Sequence, residues 1–228
     1  MSIEENRSIF EENQIDEEEN IHLSDQDIFS KIWLSPKMIF QYLDRIKYDK
    51  YLYPLMILIG ISSSFDNSIS RGLGDSWPLW GILALSILGG GILGWISYYI
   101  LAALLSWTGK WLDGKGDTDS IYRMMSYAFL PSIFSLVLLI AQILLFGSGI
   151  FESNFDASDY GLIFFLFYFL FSSLEFILGI WTLVLFIIGL SVIQELSIWK
   201  SILNLLLPIL IIFIPIATIA FILGDLFK

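Results

Sequence analysis

Cysteine is absent from this chain, and histidine occurs once, at His22. The first absence excludes a disulfide framework, a thiolate metal site and a thiol nucleophile. The second excludes haem ligation by histidine, HExxH zinc chemistry and Ser-His catalysis inside the apolar part of the chain. Charge is scarce as well: 15% of residues are charged against 56% hydrophobic, with a mean hydropathy of +0.74. Those values lie well outside the range of a soluble domain with one buried core. Positive charge is the scarcer sign, 12 Lys and Arg against 23 Asp and Glu, which argues against nucleic acid as a partner. What the chain has in abundance is long apolar sequence, and the solvent for such sequence is lipid.

A bilayer core of about 30 Å needs roughly 20 apolar residues per helix. Five stretches meet this need, near 50–68, 79–106, 124–150, 161–193 and 200–223. The first is the weakest, being short and ending in Ser62, Ser63 and Ser64. The fourth is too short for two crossings and holds no turn signal, so it reads as one tilted helix. With the N-terminus inside, ten of the basic residues fall on inner segments and only Arg71 and Lys228 on outer ones. The positive-inside rule therefore predicts five spans with the N-terminus cytosolic and the C-terminus outside. Trp77 and Trp80 opening the second stretch, and Trp107 and Trp111 closing it, suit the aromatic belts of the two interfaces. Pro131, Pro208 and Pro215 lie within spans, where lipid-embedded helices accommodate them as kinks.

The acidic excess is local, since residues 1–27 hold ten carboxylates and one basic residue, Arg7. Residues 1–30 accordingly read as an acidic, disordered cytosolic tail, either a solvated arm or a partner-binding one. Residues 31–49 read as an interfacial amphipathic segment: Ser35-Pro36 starts a helix, Ile39, Tyr42, Leu43 and Ile46 share one face, and Trp33 anchors it. A soluble helix packed on the protein's own loops fits the same pattern. Residues 50–228 form the membrane domain.

Glu175 is the ionisable side chain deep in a span, where a charge costs about 2.5–3.5 kcal/mol or more. Counting depth from helix midpoints makes Gln142 its best partner, with Ser172 and Ser173 adding polarity. This intramembrane polar site is either a proton or cation site or a helix-packing hydrogen bond worth roughly 1 kcal/mol. Gly89, Gly90, Gly91 and Gly94 let helices approach closely, within one copy or between two. The loop carrying Asp113, Lys115, Asp117 and Asp119, with Arg123 beyond it, reads as a glycine turn followed by a helix cap. It lacks the EF-hand spacing, and no metal or cofactor is expected. The sequence Gly72-Leu73-Gly74-Asp75, with Tyr48-Asp49, matches the GxGD and YD signatures of intramembrane aspartyl proteases. Asp49 and Asp75 flank a single span, however, so they cannot share a proton at one depth.

The order of these parts resembles the Yip1 family of five-span membrane proteins. The resemblance runs over roughly 33–223. It rests on the segment from Trp33 to Ile46, on Gly109-Lys110-Trp111-Leu112-Asp113-Gly114-Lys115-Gly116 through Tyr127-Ala128-Phe129-Leu130-Pro131, on Gly179-Ile180-Trp181 through Gly189-Leu190-Ser191, and on Trp199-Lys200-Ser201. It implies a helical bundle with a cytosolic N-terminus. Eukaryotic members act at ER and Golgi membranes through Rab GTPases, but the head here lacks their DLYGPxW-type segment, and the chain looks more like a bacterial member. The expectation is a non-enzymatic scaffold or organiser in membrane or envelope homeostasis or trafficking, located in the bacterial inner membrane. Its expected partners are the bilayer, membrane or cytosolic proteins, and a second copy of itself. The alternative is a small transporter or channel built on Glu175.

Overall fold

A computed structural model describes residues 23–226 of the protein, with side chains as far as Pro215. The chain divides into two units, Met1–Ile39 and Phe40–Lys228. In the first unit, Ser24 and Asp27 form a reciprocal capping box that starts helix α1 (Asp25–Lys31). Lys31 closes an ion pair with Asp27 at 2.8 Å. That pairing, with the Ser24 bonds, holds the Asp27 carboxyl down at about 2. Among the described residues, helix α1 lies largely inside the stretch 1–30 that composition assigns to a disordered tail, because these residues satisfy each other locally. The rest of that acidic tail, with His22, lies outside the described residues.

Helix α2 (Pro36–Arg45) runs across the boundary between the units. The second unit continues with α3 (Leu52–Ser70), α4 (Leu79–Ala84), a π-helical turn (Leu85–Gly90), α5 (Gly91–Gly109), α6 (Thr118–Ala128), α7 (Leu130–Phe146), α8 (Leu162–Ile193) and α9 (Ile198–Leu226). No strand occurs among the described residues. Four stretches are long and apolar enough to cross a membrane, Leu79–Leu112, Thr118–Phe151, Leu162–Ile193 and Ile198–Pro215. The chain is an integral membrane protein. Helix α3 forms over the first predicted span but stands outside those four, since Ser62, Ser63, Ser64, Asp66 and Asn67 dilute its apolar content.

Helix α3 packs on α5, α6, α7 and the π turn, α8 on α6 and α7, and α9 on α5 and α8. The α3–α5 contact explains the glycine-rich segment. A Cβ on Gly60 would collide with the Gly90 carbonyl, and one on Gly94 would collide with the Gly60 backbone. Gly90 and Gly94 therefore serve a contact within the chain, made with Gly60 on α3. By contrast a Cβ on Gly91 would stand 3.5 Å from Ile57, an ordinary distance, and one on Gly89 would meet only the Leu85 side chain of its own turn. Next to this contact the hydroxyls of Ser68 and Ser86 meet at 3.2 Å.

Pro131 stands at the start of α7, and Phe129 breaks the third apolar stretch into α6 and α7. Helix α8 is continuous over 32 residues, about 48 Å, and so exceeds the hydrocarbon thickness. Residue Phe40 of α2 lies against α8, where a Cβ on Gly189 would stand 3.1 Å from its ring. Phe40 and Leu43 are buried, so this face of α2 is covered by protein.

One end of the unit is closed by aromatic packing. Phe65, Ile82, Leu139, Phe146, Ile150, Phe151 and Ala157 form a buried cluster, and the Phe146 ring meets Phe155, Tyr160 and Tyr168 edge-on. The Gly72–Asp75 segment docks here. Gly72 takes a left-handed conformation (φ 61°), and a Cβ on Gly74 would stand 2.8 Å from the Phe151 carbonyl carbon. Asp75 accepts hydrogen bonds from Ser153 N at 3.0 Å and Ser153 Oγ at 2.5 Å, which lower its pKa. A loop-packing role thus accounts for the residues that match the protease signature.

The same substitution is expected to act with opposite sign at two glycines. Gly94→Ala inserts a methyl into the Gly60 backbone and costs about 1–3 kcal/mol. Gly179→Ala, whose Cβ meets nothing within 4 Å, is neutral or stabilises by up to about 1 kcal/mol. Thermal unfolding of the two variants in detergent measures the difference.

Candidate functional site

The end of the unit opposite Asp75 is organised by one buried side chain, Gln194, at the end of α8. Its exposure is 0%. Gln194 Nε2 donates to the Leu105 carbonyl at 3.0 Å, its Oε1 accepts from Gly116 N at 3.0 Å, and its own carbonyl accepts from Lys115 N at 3.1 Å. The loop wraps so closely that a Cβ on Gly109 or Gly114 would overlap the Gln194 amide, and one on Gly116 would stand 3.0 Å from Ile193. Ser106 adds a bond from its hydroxyl to the Gly116 carbonyl at 2.9 Å. The glycines of this loop are thus selected by contact with an amide, beyond the turn geometry that the sequence suggests.

Around this hub lies a charged, exposed surface. Lys115 Nζ pairs with Glu195 at 2.5 Å, and Lys200 Nζ donates to the Leu112 carbonyl at 2.9 Å and lies 3.5 Å from Asp113. Asp113 and Glu195 both take left-handed backbone conformations (φ 70° and 54°), which project their side chains from tight turns. Beneath it, Thr108 Oγ1 donates to Asn204 Oδ1 at 2.8 Å, joining α5 to α9.

The remaining loop residues go elsewhere. Asp117 caps α6, accepting from Ser120 N at 2.7 Å, and this backbone bond lowers its pKa. Asp119 accepts from the Tyr99 hydroxyl at 3.3 Å. Arg123 Nε bonds Asp49 Oδ1 at 2.6 Å across to the start of α3. The loop acids are therefore dispersed. Among the described residues no three His, Cys, Asp or Glu side chains gather as a metal site would need.

In the middle of the unit, Gln142 Nε2 donates to Glu175 Oε1 at 2.6 Å, joining α7 to α8. Ser173 bonds back to the Phe169 carbonyl of its own helix, and Ser172 is half-buried. Asp66 is a second carboxylate carried by a helix of this unit, α3. Sequence reasoning passed over Asp66 because it stands at the weak end of the first stretch. Gln194 and Asn204 carry no local spacing that sets them apart. The available signal was a spacing of glycines at 109, 114 and 116 too dense for a single turn.

The family model for the Yip1 domain matches residues 31–219. The chain belongs to the Yip1 family. No curated protein and no solved structure matches it. Within the Yip1 domain, the matched region contains the whole Gln194 junction and the Gln142–Glu175 pair.

Gln194→Ala leaves the Gly116 amide unpaired and removes the side-chain bond to the Leu105 carbonyl, and a loss of about 1–3 kcal/mol is expected in detergent unfolding. Asp117 supplies a pH test. Its folded pKa is depressed, so its contribution is present above the unfolded value and is lost as pH falls below about 4. Asp117→Asn, which retains the cap, is expected to remove that part of the acid sensitivity, read as the difference in melting temperature between neutral and acidic buffer.

Proposed function

We propose that this protein is a non-enzymatic scaffold or organiser of the bacterial cytoplasmic membrane, offering the face around Gln194 to membrane or cytosolic protein partners in envelope homeostasis. The observation that carries this reading is the combination of a loop pinned by a buried amide with an exposed set of charges, Asp113 reaching 93% side-chain exposure. A rigid, charged, solvent-facing loop suits recognition, because little ordering entropy is lost on binding. Crosslinking in cells followed by purification tests it. The expected result is a reproducible partner set that shrinks on Asp113→Ala with Glu195→Ala, while recovery of no reproducible partner removes the scaffold role.

The membrane arrangement belongs to the same proposal. Helix α3 serves as the first of five spans, the Gln194 face lies in the cytosol, α2 lies at the inner membrane boundary, and the acidic tail stays cytosolic. The distribution of Lys and Arg supports this sidedness. Since the chain has no cysteine, single-cysteine variants report it directly. Ser76→Cys and Ser158→Cys are expected to react with a membrane-impermeant maleimide in intact cells, and Ser197→Cys only after lysis. The reverse pattern would sink the topology.

A second reading, a small transporter or channel, draws on the Gln142–Glu175 hydrogen bond and on Asp66, a second carboxylate within helix α3. Flux of protons or cations in proteoliposomes that is unchanged by Glu175→Gln removes it.

A further inference from the structure

Where the start of α3, the middle of α5 and the first turns of α6 meet, a cavity of about 360 Å³ is lined by Asp49, Tyr53, Trp95, Tyr99, Asp119 and Arg123. This volume falls within the range of small-molecule sites. The Arg123 side chain is only 8% exposed. Its Nε is bound to Asp49, but its Nη1 is buried and has no hydrogen-bond partner among the described residues. A buried cationic donor without an acceptor is costly, and the group that best satisfies a guanidinium is an oxyanion such as phosphate.

The rim has the opposite character. Asp49 and Asp119 are exposed carboxylates, and the rings of Tyr53, Trp95 and Tyr99 are exposed beside them. Carboxylates next to aromatic faces favour an ammonium group. A ligand that is only anionic would meet two carboxylates at the rim, and one that is only cationic would meet the guanidinium below. A molecule bearing both a phosphate and an ammonium group satisfies each.

Ile92, Trp95, Ile96 and Tyr99 lie on one face of α5, at spacings of three and four, and all four are exposed. Helix α5 belongs to the membrane-crossing stretch Leu79–Leu112, so this face offers an apolar track leading away from Asp119 along the helix. We infer that the cavity binds the headgroup of a zwitterionic phospholipid such as phosphatidylethanolamine. The phosphate sits on Arg123, the ammonium lies between Asp119 and the rings of Trp95 and Tyr99, and the acyl chains follow Ile96 and Ile92. The inference needs α5 and α6 to lie in a membrane and does not depend on the scaffold reading.

The test is native mass spectrometry of the full chain in detergent, titrated separately with phosphatidylethanolamine, phosphatidylglycerol and free phosphoethanolamine. Wild type is expected to hold phosphatidylethanolamine at least about tenfold more tightly than either of the others. Arg123→Gln is expected to lose that binding. Should Arg123→Gln fail to fold, Asp119→Asn, altered only at the exposed rim, decides the matter: its preference for phosphatidylethanolamine over phosphatidylglycerol is expected to fall to near parity. Equal binding of the two lipids by wild type, or an unchanged preference in Asp119→Asn, overturns the site. Free phosphoethanolamine binding as tightly as the lipid overturns the assignment to a lipid headgroup.

Discussion

The amide of Gln194 ties the end of one long apolar helix to the backbone of the segment that leaves another. A helix end leaves carbonyl and amide groups without partners inside the helix, and near a membrane boundary water satisfies them unevenly. Here a single side chain supplies a donor to α5 and an acceptor to the Gly116 amide. The path of the loop follows from that pair of bonds. Asp117 is then placed to cap α6, and α6 brings Arg123 to Asp49. Two elements far apart in sequence, the start of α3 and the middle of the chain, are joined as a consequence of where one glutamine is buried.

Polar groups elsewhere in the unit are used sparingly, and magnitudes explain the pattern. An interhelical hydrogen bond in lipid contributes of order 1 kcal/mol, while an unpaired charge at mid-depth costs several times that. Most polar side chains in the spans accordingly bond to backbone, as Ser62 does to the Ser132 carbonyl at 2.9 Å. Like the Thr108–Asn204 bond, the Gln142–Glu175 bond instead joins two side chains of neighbouring spans. It stitches α7 to α8 at a level where those helices have mostly apolar contacts to offer each other.

Much of this architecture was legible in the sequence. The apolar runs gave helices at α5, α6–α7, α8 and α9, since long continuous apolar sequence in lipid satisfies its backbone within a helix, and depth counting put Gln142 beside Glu175. Less legible was α3, a full helix of 19 residues whose serines and Asp66 blur its apolar signal. What the sequence could not express was contact between distant segments. Gly60 has no local mark that sets it apart, and its role appears only when Gly90 and Gly94 are laid against it. Gln194 likewise reads as one polar residue following an apolar run, and its importance comes from three glycines about eighty positions earlier. Short-range spacing carries periodicity and caps, whereas burial of an amide against another loop is a property of the assembled helices.

The π turn at Leu85–Gly90 gives the second membrane-crossing stretch two rotational phases instead of one. A π turn takes in about one residue more than an α turn, so the side chains after it are rotated by roughly 100° relative to an uninterrupted helix. Removing a single residue there would restore a regular helix, yet it would swing Gly94 off Gly60 and turn Trp95 and Tyr99 away from Arg123. The apparent irregularity is therefore a phase adjustment, and it sets the rotation of the Gly94 contact and the aromatic-lined cavity together, relative to the Leu79–Ala84 segment that precedes it.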